Sequence, residues 1–195
     1  MMGAKKKSIV IVLVMSSVLL TGCIGYVWTG ASVLYDRHTL YKKLNDFKLN
    51  AKVKRILYKD DKLKCEGCSI ELAVFKGDIL LVGRVPDEEL REEAKARIES
   101  VQGYRRLFNQ IAVGPATEDM LQDNWITTKI RSQIFADSDI NPEDFKVVTS
   151  EKIVYLMGDV IPQQASRVIG FARECNGVKR VVKLFKYYNL SDRAQ

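Results

Sequence analysis

Apolar positions along this chain change their period in a fixed order, and they do so twice. In the first pass Leu49, Val53 and Leu57 recur at spacing four, as on one face of a helix, and Asp46 is placed to cap a helix running to about Tyr58. Ile70, Leu72 and Val74 then alternate as in a strand, Lys76-Gly77-Asp78 reads as a turn, and Ile79 to Val82 is an apolar run. Pro86 and Asp87 open an acidic first helical turn, and Leu90, Ala94 and Ile98 line one helix face. Gly103 ends that helix, and Leu107 to Val113 returns as a strand.

The second pass keeps this order. Trp125 to Phe135 reads as a helix, Phe145 to Thr149 and Ile153 to Met157 as strands, Pro162 as a helix start, and Val178 to Tyr188 as the last strand. Gly83 and Gly158, read as the ends of the second strands, lie 75 residues apart; Gly103 and Gly177 lie 74 apart. Each unit is α-β-β-α-β, an α+β fold in which two helices cover a three-stranded sheet. The units span 46–114 and 119–190, with Gly114-Pro115 as the joint. Each of these small units has a limited core, which predicts that they pack against one another.

The N-terminus has a different pattern. Lys5, Lys6 and Lys7 precede an apolar stretch from Ile9 to Leu20, interrupted only by Ser16 and Ser17. As a helix it would span about 18 Å, short of the roughly 30 Å hydrocarbon core, so it reads as the apolar region of a signal peptide. Leu20-Thr21-Gly22-Cys23 resembles the lipobox of bacterial lipoprotein precursors, which implies cleavage of residues 1–22 and acylation of Cys23. The alternative is an uncleaved anchor with a chance cysteine. Ile24 stands where an aspartate usually retains such proteins at the inner membrane, so the resemblance implies the outer membrane, with the domains facing the periplasm. Residues 23–45 form a tether with Gly25, Gly30 and Ser32 among scattered aromatics.

Charge and chemistry narrow the function. The formal charge of +7 falls to +4 once the three signal lysines leave. In this compartment an acidic lipid surface suits a basic protein better than nucleic acid does, so no nucleic-acid partner is expected. Cys65 and Cys68 form one Cys-Glu-Gly-Cys pair, too few ligands for a tetrahedral zinc site. A redox pair lacks thioredoxin-like surroundings, and a local disulfide is the plainer reading. Cys175 reads as a small buried hydrophobe. The single histidine, His38, lies in the tether, there is no Gly-rich phosphate loop, and Asp87, Glu88 and Glu89 are explained by a helix dipole. The chain reads as a non-enzyme with no cofactor and no metal.

The first helix of the second unit carries the strongest candidate site. At ~100° per residue, Ile126, Ile130 and Ile134 form a narrow stripe that suits a core. Trp125, Thr128, Ser132 and Phe135 share a separate face, flanked by Lys129 and Arg131. Rings bordered by cations suit a membrane interface, but periodicity equally allows both rings to bury against the first unit or the last strand. The comparable helix of the first unit has Lys52, Lys54 and Arg55 but Lys48 and Ala51 where a ring would sit. That unit is therefore expected to be structural or to contact protein.

The paired α-β-β-α-β units, Gly83 and Gly158, the run Asp123-Asn124-Trp125-Ile126-Thr127-Thr128-Lys129-Ile130-Arg131-Ser132-Gln133, then Leu156-Met157-Gly158 and Gly177-Val178-Lys179-Arg180-Val181 resemble the BON domain. Two such domains behind a lipobox are similar to outer-membrane lipoproteins of that family. The resemblance implies a protein without catalysis whose second domain binds anionic phospholipid, assigning that contact to Trp125, Thr128, Lys129, Arg131, Ser132 and Phe135. It further implies support of outer-membrane integrity, enrichment at division sites and contact with the outer-membrane protein assembly machinery. The competing expectation is a periplasmic adaptor or chaperone-like factor whose Trp125 face docks on protein. Cys65, Cys68, Tyr187 and Tyr188 depart from the family pattern.

Overall fold

The computed structural model describes residues 37–115 and 120–189. The first domain runs α1 (Arg37–Leu57), β1 (Ser69–Phe75), β2 (Asp78–Val85), α2 (Glu88–Glu99) and β3 (Arg106–Val113). The second repeats it as α3 (Met120–Ala136), β4 (Phe145–Ser150), β5 (Ile153–Val160), α4 (Pro162–Glu174) and β6 (Arg180–Tyr187). In each sheet the middle strand pairs antiparallel with the strand before it and parallel with the strand after it, giving orders β1-β2-β3 and β4-β5-β6. The parallel pairs need a crossover, and α2 and α4 supply it.

The middle strands are apolar on both sides because both of their faces are covered. Ile79, Leu81 and Val85 point to α1 and α2 and meet Leu49, Val53, Leu57, Ala94 and Ile98. Leu80 and Val82 point the other way, where with Ala73 they pack on Val148, Tyr155, Met157 and Leu184 of the second sheet. Val154 and Leu156 then face Ile126, Ile130, Ile134, Ala165 and Val168 on α3 and α4. The order of layers is therefore helices, sheet, sheet, helices, and the period-two alternation of two buried strands produces it.

Charge closes the seam between the sheets. Lys43 pairs with Glu143, Lys76 with Asp144, Arg84 with Glu151 and Arg105 with Asp159. In each of these four pairs the cation comes from the first domain and the anion from the second. Asp78, buried at the start of β2, accepts hydrogen bonds from Arg105 and Arg106. Burial by itself would raise its carboxyl pKa, but the two guanidinium groups outweigh it and hold the value below the usual carboxylate range. Arg106 also donates to the Phe185 carbonyl on β6.

Two readings of local signals are corrected. Asp46 caps no helix, since α1 already begins at Arg37 and takes in part of the expected tether, His38 included. Its carboxylate instead accepts from the amides of Lys76 (2.6 Å) and Gly77 (2.8 Å) in the β1–β2 turn. Gly83 and Gly158 do not end their strands, which run on to Val85 and Val160. They sit where the neighbouring strand comes closest: a Cβ on Gly83, whose φ is +106°, would lie 1.8 Å from the Ser69 carbonyl oxygen. The other helix start is as expected, with the Asp87 side chain accepting from the amide of Leu90.

Candidate membrane-docking site

Helix α3 is positioned from inside and from its end. Ile126, Ile130 and Ile134 are sunk in the core. Near the N-terminus, Asp123 accepts from the amides of Glu151 (2.6 Å) and Lys152 (2.8 Å) at the β4–β5 turn, where both residues have positive φ. The Thr127 hydroxyl donates to that of Thr149 at 2.7 Å. These contacts fix the rotation of the helix, and with it the face left outside.

That face carries Leu121, Trp125, Thr128, Ser132 and Phe135, at steps of four, three, four and three, so they form one stripe roughly 20 Å long. Leu121 is 87% exposed, Phe135 81% and Trp125 49%, and none of the three belongs to a buried core cluster. Of the two placements that periodicity leaves open for the rings, the outward one is observed. Lys129 stands over the Trp125 ring, with Nζ 5.8 Å from the centroid. Arg131 is exposed and makes no ion pair with any described residue. The Ser132 hydroxyl is tied back to the Thr128 carbonyl at 2.8 Å, which leaves Thr128 and Ser132 as small spacers between the rings. Beside Phe135 a cleft of about 470 Å³ opens between α3 and β4, with Pro142, Phe145 and Val147 on its far side and Arg131 at its rim.

All six residues expected at the site thus fall on or beside one face. Leu121 and its neighbour Met120, 72% exposed, are additions. Their signal lies in the spacing, since Leu121 is one turn before Trp125, but the sequence pattern predicts a helix only from Trp125 and the structure begins it at Met120. Cys65 and Cys68 lie in the other domain, joined as a disulfide with a Cα–Cα distance of 5.1 Å, with Cys68 against the first core. Cys175 is a buried free thiol, and burial raises its pKa. Cys23 lies outside the described residues. Among those residues no helix is long and apolar enough to cross a membrane, and no cluster of His, Cys, Asp or Glu could hold a metal ion.

The BON-domain family model matches residues 45–115 and again 122–189, the two α-β-β-α-β units just described. The chain belongs to the BON-domain family. It is similar to several relatives along most of their length. It is 31% identical over 182 residues to the outer membrane lipoprotein DolP of Haemophilus influenzae, covering 90% of this chain and 94% of that protein. A 21 kDa hemolysin of Actinobacillus pleuropneumoniae is 32% identical, with 78% and 79% covered. The osmotically-inducible protein Y of Escherichia coli is 28% identical, with 71% and 70% covered. Among solved structures, the Chlamydia trachomatis type III secretion protein CdsD aligns at a TM-score of 0.32 and 8% identity, over 75% of this chain and 95% of that one. The aromatic pair Trp125 and Phe135 on an outer helix face belongs to the second of the two BON domains.

Proposed function

We propose that this protein is an outer-membrane lipoprotein, anchored through Cys23 with its domains in the periplasm, that docks on anionic phospholipid through α3 and performs no catalysis. The observation that carries the reading is the exposed stripe of Leu121, Trp125 and Phe135 beside an unpaired Arg131. An apolar stripe of this size costs solvation in water and gains it back at the headgroup boundary, where cations meet phosphate. Fully burying an apolar side chain contributes about 1.5–3 kcal/mol, less for Trp125, which is already half-covered; each cation adds about 1 kcal/mol on an acidic surface. That is weak binding in solution and sufficient binding for a domain held near the surface by acyl chains. The relation to a protein named as an outer membrane lipoprotein supports the compartment. Support of membrane integrity, enrichment at division sites and contact with the outer-membrane assembly machinery belong to the same proposal.

Liposome flotation of the two-domain unit, residues 37–195, tests it. The unit should float with vesicles containing phosphatidylglycerol and not with neutral ones. Trp125→Glu should reduce flotation at least tenfold while lowering the melting temperature by no more than a few degrees, because half of its ring is already in water. Ile130→Glu should instead unfold the second domain, since Ile130 is fully buried. Equal melting losses in the two variants would sink the reading, and so would unchanged flotation of Trp125→Glu. Capture of a periplasmic protein through the Trp125 face without lipid binding would favour an adaptor.

A further inference from the structure

Among the described residues the outer face of α1 has no aromatic pair, in keeping with Lys48 and Ala51 at the positions that match the rings of α3, but it does expose one ring, Phe47. With Val53, at the centre of the buried face, set to zero and ~100° per residue, Leu44 falls near 180°, Ala51 near 160° and Phe47 near 120°. Phe47 is 73% exposed and Leu44 48%. Arg55 and Lys48 fall near 200° and 220°, Lys54 near 100°, and none of these three makes an ion pair with a described residue. Further along, Lys54, Arg55, Lys59 and Lys64 surround an open depression floored by Ala51 and Tyr58. The face thus has an apolar strip with cations on both flanks and a cationic hollow at one end. Its chemistry is that of the α3 stripe, with more charge.

The layer order places α1 and α3 on opposite outer sides of the paired sheets. Their outer faces are turned in opposite directions, although Lys43 at the start of α1 reaches Glu143 of the second domain. We propose that the outer face of α1 is a second anionic-lipid contact, turned away from the α3 stripe, so that one molecule can join two anionic bilayer surfaces. The proposal rests on the lipid reading of α3. The charge is what selects a lipid surface as the occupant: Lys48, Lys54 and Arg55 on the helix and Lys59 just past it make no ion pair with a described residue, whereas the acidic side chains nearby, Glu143 and Asp61, are already engaged by Lys43 and Lys64.

Vesicle clustering separates this from a single contact. Residues 37–195 are mixed with vesicles of phosphatidylglycerol and phosphatidylethanolamine, and particle size is followed by dynamic light scattering beside flotation. The wild type should raise the apparent vesicle size several-fold, and neutral vesicles should not respond. Phe47→Glu with Arg55→Glu should abolish clustering and keep flotation through α3; Trp125→Glu should abolish clustering and keep residual flotation through α1. The three substitutions together should remove flotation. Wild-type protein that floats without clustering overturns the proposal, as does clustering by the Phe47→Glu, Arg55→Glu variant. The mass in solution without lipid supplies a further check: a dimer that this variant converts to monomer assigns the face to a second copy and also overturns it. If Trp125→Glu floats and clusters like the wild type, it is the α3 reading that falls, and the bridging with it. Loss of flotation in the α1 variant would then mark α1 as the sole contact.

Discussion

The first helices of the two domains, α1 and α3, are used alike toward the inside and differently toward the outside. Each buries a row of branched side chains, and each holds the turn of the following hairpin with one aspartate that accepts two backbone amides, Asp46 in the first domain and Asp123 in the second. Outside, α3 has rings spaced by small polar residues, whereas α1 has one ring and one leucine among cations. What both copies keep is what the fold requires. What they do not share is surface, and that is where separate tasks for the two domains can be written.

The strongest way to break this comparison is at the equivalent glycines. Gly83 and Gly158 occupy the same place in the two sheets, but only Gly83 has positive φ, and its added Cβ would meet backbone at 1.8 Å, against 2.7 Å at Gly158. Gly83→Ala should therefore destabilise the first domain by about 4 kcal/mol or more, and Gly158→Ala the second by about 1–3 kcal/mol. Thermal unfolding of both variants checks the order; equal losses would mean that the strands relax apart equally.

A middle-sized effect sharpens the asymmetry at the seam. Asp78 stands in the register position that Ile153 fills in the second domain, so a buried carboxylate at this position belongs to one copy only. Its folded pKa lies below its unfolded value of about 4, so the stability it contributes is fully present above that value. That contribution is lost as pH falls through the depressed folded value. Asp78→Asn should cost about 3 kcal/mol at neutral pH, because Arg105 and Arg106 lose their shared acceptor. The gap between the two melting curves should close as the pH drops below about 4. A gap that persists unchanged in acid would remove Asp78 from that role.

The smallest effect concerns the feature that only the first domain has. The Cys65–Cys68 bridge closes a very short loop, so replacing both residues by serine should cost about 1–2 kcal/mol and leave flotation untouched. Loss of lipid binding at unchanged melting temperature would show that the bridge does more than brace the entry to β1.

Both domains were legible as sequence because their cores are periodic. Leu49, Val53 and Leu57, the three isoleucines of α3 and the alternation of β1 place themselves, and the repeated glycines fix the register. The misread positions are those whose partners are distant. Asp46 carries every local mark of a helix cap, yet its hydrogen bonds go to amides 30 and 31 residues away. The run through Gly83 looked like a strand end because a glycine favours a turn, and only the approach of Ser69 explains it. Met120 and Leu121 precede the first ring of α3 and carry no capping signal that marks the helix start, and Phe47 has no counterpart at the α3 positions that hold rings. The pairing of Arg84 with Glu151 has no trace in spacing at all.

The predominantly one-way polarity of the seam ion pairs has a consequence for synthesis. The first domain is completed before the second exists, and until then Ala73, Leu80 and Val82 have no cover. Around that bare strip stand Lys76, Arg84, Arg105 and Arg106 against the two carboxylates of Glu71 and Asp78, so the rim is cationic on balance. Two half-made chains that met there would bring cation against cation, while the strip's own later partner arrives with Asp144, Glu151 and Asp159. The ion pairs thus act before they form: they keep unfinished neighbours apart and leave the vacant sheet face to the domain that follows on the same chain.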